Sequence, residues 1–427
     1  MKKAFLLLTI CSILLSGCSK KEILPGKRED LFVANVNGDS INKSVVSVKI
    51  TPLSAQSRSS HICVAGNLQH NNINRKMAVN EKLTKLWKVS IGSGPITADP
   101  IIFDNKIFAV DARGTLSCVE AQTGKILWDL SIAKQPESGI FSGGLTANNG
   151  IIYIATNIGT VVAVDSKTKK ILWKISIKIP LKGAPVCWDS KVIVTSVENQ
   201  TYALDAKTGK TIWTKTMEHE QTIMEESASP AVSGTSLICP YTSGDIVAMN
   251  SKGVENWADM MLSGNSSESG SIIFQIVSIV CDKNFVLVTT ATSNMSLLDS
   301  TTGIRIWERE FGSLVTPIIH GDWVFGLLND NRLVCLSLKD GTTKWQMNLA
   351  SILQEKREKE ARWVGMQLIN GNVVVFSTFG HVASFDISTG KLKNVETLKN
   401  VGFARNPIIV NGTMLAITNR AEIHAFK

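Results

Sequence analysis

The chain has 427 residues, 44% of them hydrophobic and 19% charged, which excludes wholesale disorder and suffices for one large β architecture or two to three average domains. Its 45 lysines and arginines outnumber 36 acids for a formal charge of +9, but they are spread without a block of like charge. A nucleic-acid-binding stripe is therefore absent.

The first element is an apolar run at 4–15, preceded by Lys2 and Lys3 and followed by Ser16-Gly17-Cys18. It is too short to span a bilayer, which excludes an integral membrane protein, and its flanks are those of a signal peptide over 1–17. Small residues directly before a cysteine read as a bacterial lipobox, making Cys18 the lipidated first residue. An ordinary signal peptide is the weaker reading, because no A-x-A-like site stands here. Ser19 after Cys18 follows the pattern of lipoproteins sorted to the outer membrane, which places the chain on its periplasmic face. Residues 18–80, punctuated by Pro25-Gly26, Asn37-Gly38, 54–60 and Asn71-Asn72, read as a lipidated tether with room for a short strand.

Beyond residue 80 the chain repeats itself. Tryptophans at 87, 128, 173, 213, 257, 307 and 345 follow at an average step of 43 residues, the period of propeller blades. Four copies are strong: Val119 to Trp128, Val164 to Trp173, Leu204 to Trp213 and Leu298 to Trp307. Weaker ones end at Trp257, Trp345 and Asn394, the last without its tryptophan. In the motif Asp-x-x-Thr-Gly-x-x-x-Trp an apolar strand ends in Asp165, Asp205, Asp299 or Asp386, whose carboxylate accepts from turn amides. Gly124, Gly209, Gly253, Gly303 and Gly341 supply positive φ for a hairpin. Lys169 takes that place in the second copy and marks strain or a different turn. The tryptophan fills the wedge between blades.

Upstream of the hairpins lie eight apolar runs, at 100–110, 150–156, 185–196, 230–240, 280–290, 317–328, 367–378 and 407–418. Only seven tryptophan-type strands follow them. The strand at 83–91 has no hairpin before it and 421–426 has none after it, so pairing the two completes an eighth blade. The expected fold is all-β: an eight-bladed β-propeller of four-stranded antiparallel blades over 81–427, its ring closed by the N- and C-terminal strands. Ser142-Gly143-Gly144 and the Gly/Ser-rich 263–271 read as inter-blade connections, and 351–362 as a connection with a short solvated helix.

Candidate chemistry is sparse. Cys118, Cys187, Cys239, Cys281 and Cys335 sit in or beside apolar strand-like runs, and together with Cys63 they match no zinc spacing, so they read mostly as buried thiols. The six histidines are isolated in sequence, and neither a G-x-S-x-G elbow nor a phosphate loop is present. No catalytic residue, metal ligand or cofactor site is assigned.

The Asp-x-x-Thr-Gly-x-x-x-Trp repeat resembles the quinoprotein-type β-propeller repeat. Together with the lipobox, the eight-blade count and a single propeller filling the mature chain, it resembles the BamB family of outer-membrane β-barrel assembly lipoproteins. Pro25-Gly26-Lys27-Arg28 and Gly66-Asn67-Leu68-Gln69-His70 are similar to the pre-propeller region of alphaproteobacterial members. The resemblance implies a non-enzymatic scaffold that binds BamA within the assembly complex and supports folding and insertion of outer-membrane proteins, which are possible direct clients. It also implies a contact motif, Leu-x-Leu-Arg-Gly, matched here by Ile179-Pro180-Leu181-Lys182-Gly183 with lysine in place of arginine. An acidic pattern in the next connection is matched by Glu225. The implied partner-binding residues are Ile179, Leu181, Lys182 and Glu225. The same residues also read as a fraying strand end with core contacts at Ile179 and Leu181, a solvated cation at Lys182 and a polar loop at Glu225.

Two other classes stand beside the scaffold. A quinone-dependent enzyme on this propeller typically carries adjacent cysteines and a calcium site, and no two cysteines are adjacent here. A propeller that binds a periplasmic glycan or peptide stays open, with only three tyrosines to build a sugar-stacking surface.

Overall fold

Strands such as Thr160–Asp165 and Arg332–Ser337 are buried at four successive positions, the pattern of a strand covered on both faces. The computed structural model, which describes residues 48–71, 73–77, 82–92, 95–96, 98–132, 143–218, 228–261, 275–353 and 361–427, shows what covers them. Eight four-stranded antiparallel sheets form the blades of a ring, seven of them running outward from the axis in chain order and the eighth ending in the first strand of the chain. The blades cover 101–131, 143–176, 181–216, 231–260, 276–309, 318–348, 363–397 and, for the eighth, 408–426 with Lys85–Ser90. Successive side chains of a middle strand enter opposite junctions: Ile107 and Ala109 pack against the eighth blade, Phe108 and Val110 against the second. One apolar cluster fills each of the eight junctions.

The ring closes as expected. Lys85–Ser90 pairs antiparallel with Glu422–Phe426, and Thr84 and Lys427 exchange backbone hydrogen bonds of 2.8 and 2.9 Å. The repeated turn is equally explicit. Asp205 Oδ1 accepts from Thr208 N at 2.8 Å and Thr208 Oγ1 at 2.7 Å, bonds that hold this carboxylate below its ordinary range. Each turn also receives the tryptophan of the preceding blade. Trp173 Nε1 donates to Ala206 O at 3.0 Å, and a Cβ on Gly209, whose φ is +72°, would fall 2.7 Å from that indole ring. Glycine is thus favoured twice, by φ and by the ring. At Lys169 the same turn is kept at φ +63°, and the lysine ammonium lies 5.8 Å over the Trp128 ring.

The innermost strands differ from the sequence reading. Seven of the eight upstream runs are hairpins, not single strands. The run 100–110 holds Ile101–Phe103 and Lys106–Val110 around Asp104-Asn105, both at positive φ. Gly143-Gly144 begins the innermost strand Gly143–Asn148, where a connection was expected; a Cβ on Gly144 would meet Ala184 Cα at 2.1 Å, so the two innermost strands approach backbone to backbone.

The expected tether differs more. Its described residues, 48–71 and 73–77, form a strap that crosses one mouth of the ring. Strap carbonyls accept from innermost-strand amides: His61 O from Ile102 N at 2.6 Å, Ile62 O from Ala147 N at 2.9 Å, Leu68 O from Val232 N at 2.8 Å and Gln69 O from Cys281 N at 2.8 Å. Ile50, Cys63 and Met77 are buried. Cys18, the signal peptide and 263–271 lie outside the described residues, as do 354–360 of the expected helix. The adjoining Leu349–Ile352 is one 3₁₀ turn.

Candidate functional site

Antiparallel blades put their connections on two faces. Turns between first and second strands, and between third and fourth, share the face that the strap crosses. Turns between second and third strands share the opposite face with the blade-to-blade connections, and we refer to it as the loop face.

Between the strap and the loop face the axis holds a cavity of about 890 Å³. Val64 and His70 of the strap line one end, while Pro180, Leu314 and Arg405 of the connections line the other. Arg405 Nη1 donates to Asp99 Oδ1 at 2.9 Å and Nη2 to Ile96 O at 3.3 Å. Burial draws His70 down to about 4 and the neighbouring strap residue His61 to about 3, so both imidazoles are neutral near pH 7.

Of the four residues expected to bind a partner, the structure brings Ile179, Leu181 and Lys182 to the start of the third blade, and Glu225 lies outside the described residues. Ile179 is half-buried in the connection, beside the turn at Gly159, whose carbonyl accepts from Ile177 N at 2.7 Å. The expected exposed patch is corrected at the other two. Leu181 and Lys182 open the innermost strand Leu181–Trp188 and are 3% and 8% exposed. Leu181 packs with Tyr153 and Trp173 in the junction between the second and third blades. Lys182 Nζ donates to Asn199 Oδ1 at 3.3 Å, an oxygen that also accepts from Thr242 N and Thr242 Oγ1 at 2.9 and 3.1 Å. Its ammonium therefore sits between the third and fourth blades, where burial draws it down to about 7.

The exposed apolar residue of this region is one that sequence reading missed. Ile158, 46% exposed, tips the turn next to Ile179. The signal was available: most equivalent turns carry polar tips such as Arg113, Glu198 and Asp330. Leu314 and Phe379 are the comparable exposed residues elsewhere on this face. Among the described residues no group of three or more His, Cys, Asp and Glu is placed to hold a metal ion, and no helix is long and apolar enough to cross a membrane. Cys63, Cys118, Cys187, Cys239, Cys281 and Cys335 are buried thiols, and burial raises Cys63 to about 12.

A family model described as outer membrane protein assembly factor BamB matches residues 77–138 and 114–347. Outer membrane protein assembly factor BamB of Yersinia pestis is 22% identical over 358 residues, covering 80% of this chain and 88% of its own. The crystal structure of BamB from Moraxella catarrhalis superposes with a TM-score of 0.69 at 17% identity, over 81% of this chain and all of that one. Quinohemoprotein alcohol dehydrogenase from Comamonas testosteroni superposes with a TM-score of 0.66 at 12% identity, over 87% and 81%. At these identities the superpositions establish the fold alone.

Proposed function

The chain belongs to the family of outer membrane protein assembly factor BamB, and on that premise we propose that it is a non-enzymatic scaffold lipoprotein of the outer-membrane β-barrel protein assembly complex. The family match across residues 77–347, which span the first six blades and the N-terminal strand that closes the ring, carries this reading. Lipid on Cys18 holds the propeller at the periplasmic face of the outer membrane, and the propeller binds BamA and so supports folding and insertion of outer-membrane proteins.

The partner contact moves from the expected patch to its exposed neighbours on the loop face. Leu181 and Lys182 are spoken for by the blade junctions, so Ile158 with the half-buried Ile179 is the apolar anchor this face offers next to the expected residues. Interfaces concentrate their energy in such anchors. The test is affinity purification of the lipidated chain from membranes. BamA should accompany the wild-type chain and should be depleted at least about tenfold, or roughly 1.4 kcal/mol, by Ile158→Glu. A wild-type chain that brings no BamA contradicts the function; a variant that brings as much as wild type moves the contact elsewhere.

A further inference from the structure

We propose that the axial cavity binds a small molecule with an apolar body and a carboxylate head. At about 890 Å³ it has the size of small-molecule sites. Ile96, Leu145, Leu181, Val277, Ile279 and Phe403 line it, which supplies the apolar wall.

The charges are unbalanced. Arg362, Arg405 and Lys182 line the cavity against one lining carboxylate, Asp99. Asp99 is engaged by Arg405, and the Lys182 ammonium is turned to Asn199. The Arg362 side chain has no hydrogen-bond or ion-pair partner among the described residues. In the strap, Arg58 and Arg75 each bury an Nη1 without a partner, and Arg75 is 3% exposed. Burial lowers the proton affinity of both, the Arg58 charge lowers that of Arg75 further, and no carboxylate is among the causes acting on either. Arg58 and Arg75 lie outside the cavity lining and Arg362 is exposed at its edge; the apolar walls between them screen this excess positive charge less than water does, and an anion there would relieve it.

A recognition group is in place as well. Ser278 Oγ, on a residue 6% exposed, is buried without a partner on a residue that lines the same cavity, and its hydroxyl can donate to a carboxylate. Buried polar atoms in that state are costly unless a ligand or water satisfies them. A planar carboxylate matches the fork of a guanidinium, which singles out Arg362 and Arg405 as the head-group end.

Octanoate is the probe, titrated calorimetrically into the full chain, with octylammonium as the charge-reversed control. The expected result is saturable binding at one site per chain, no binding of octylammonium, and at least about fivefold weaker octanoate binding for Arg362→Gln at unchanged melting temperature. Arg405→Gln should weaken it further if that variant folds; Arg362→Gln decides the matter by itself, because its side chain supports no described contact. Absence of saturable binding, equal binding of octylammonium, or full affinity in Arg362→Gln each overturns the proposal. None of these results bears on association with BamA.

Discussion

Burial sets the protonation of Lys182 and makes it a residue whose contribution changes sign with its surroundings. An unfolded lysine titrates near 10.4, while the folded one is drawn down to about 7. Between those values the unfolded chain holds the extra proton, so the stability of the protein relative to a Lys182→Met variant should rise with pH. Urea denaturation of the two chains from pH 7 to 10 should show a difference that grows by up to about 1.4 kcal/mol per unit; a constant difference would mean the amine titrates normally in the folded state. Its neighbour Leu181 belongs to a packed junction, and Leu181→Ala should cost about 2–5 kcal/mol by the same denaturation. The turn glycines give a paired prediction. Gly209→Ala should destabilise, because the new Cβ meets the Trp173 ring, whereas Lys169→Gly should stabilise slightly. It removes a left-handed penalty of about 1–2 kcal/mol at the cost of an exposed cation–π contact of about 0.5–1 kcal/mol. A neutral Gly209→Ala together with a destabilising Lys169→Gly would show that φ and ring contact do not govern this turn. Lysine is rarely buried, so the sequence offers Lys182 as a surface cation; the Asn199 side-chain oxygen that receives it comes from a later turn of the same blade, and Thr242 of the next blade shares that oxygen.

At the level of elements, what was legible followed from local chemistry. Where the turn is complete, as at Asp205, Thr208 and Gly209, its three residues lie within five of one another, so the repeat announces the outer half of the blade. The missing tryptophan at Asn394 also has a cause: an indole docks on the turn of the next blade, and the eighth blade has chain termini in place of that turn. Leu83 N instead donates to Glu396 Oε2 at 3.1 Å. The innermost strands were hidden because several are only three residues long, as at Ile101–Phe103, Ile318–His320 and Ile408–Val410, too short for periodicity to register. The strap was hidden for another reason. Its structure comes from hydrogen bonds to blades far along the chain, and its own sequence carries turn residues without alternation. Removing residues 48–81 should therefore leave the amides of Ile102, Ala147, Val232 and Cys281 unsatisfied, and hydrogen exchange at these four should accelerate by orders of magnitude. Unchanged protection would mean the strap merely rests on the ring. Removing 421–427 should be worse, since it strips Lys85–Ser90 of its partner and takes Ile423, Ala425 and Phe426 out of two junctions; a truncated chain with an unaltered melting temperature would contradict closure by the termini.

For the whole molecule, the ring behaves as a rigid rim of connections around a stopped axis. A propeller whose turns are consumed by docked tryptophans on one face, with the strap across that mouth, leaves the loop face as the surface on which sequence can vary without cost to the junctions. There Ile158 stands exposed beside Ile179, and the chemistry-bearing side chains concentrate at the cavity and not in a catalytic cluster. The family membership and this division of faces together make the central claim, that the chain acts by holding a partner. Its most direct test is quantitative recovery of BamA with the lipidated chain from solubilised membranes, compared between wild type and Ile158→Glu at equal melting temperature. The account predicts stoichiometric recovery with wild type and a loss of at least about tenfold with the variant; a wild-type chain that repeatedly comes away without BamA would contradict it.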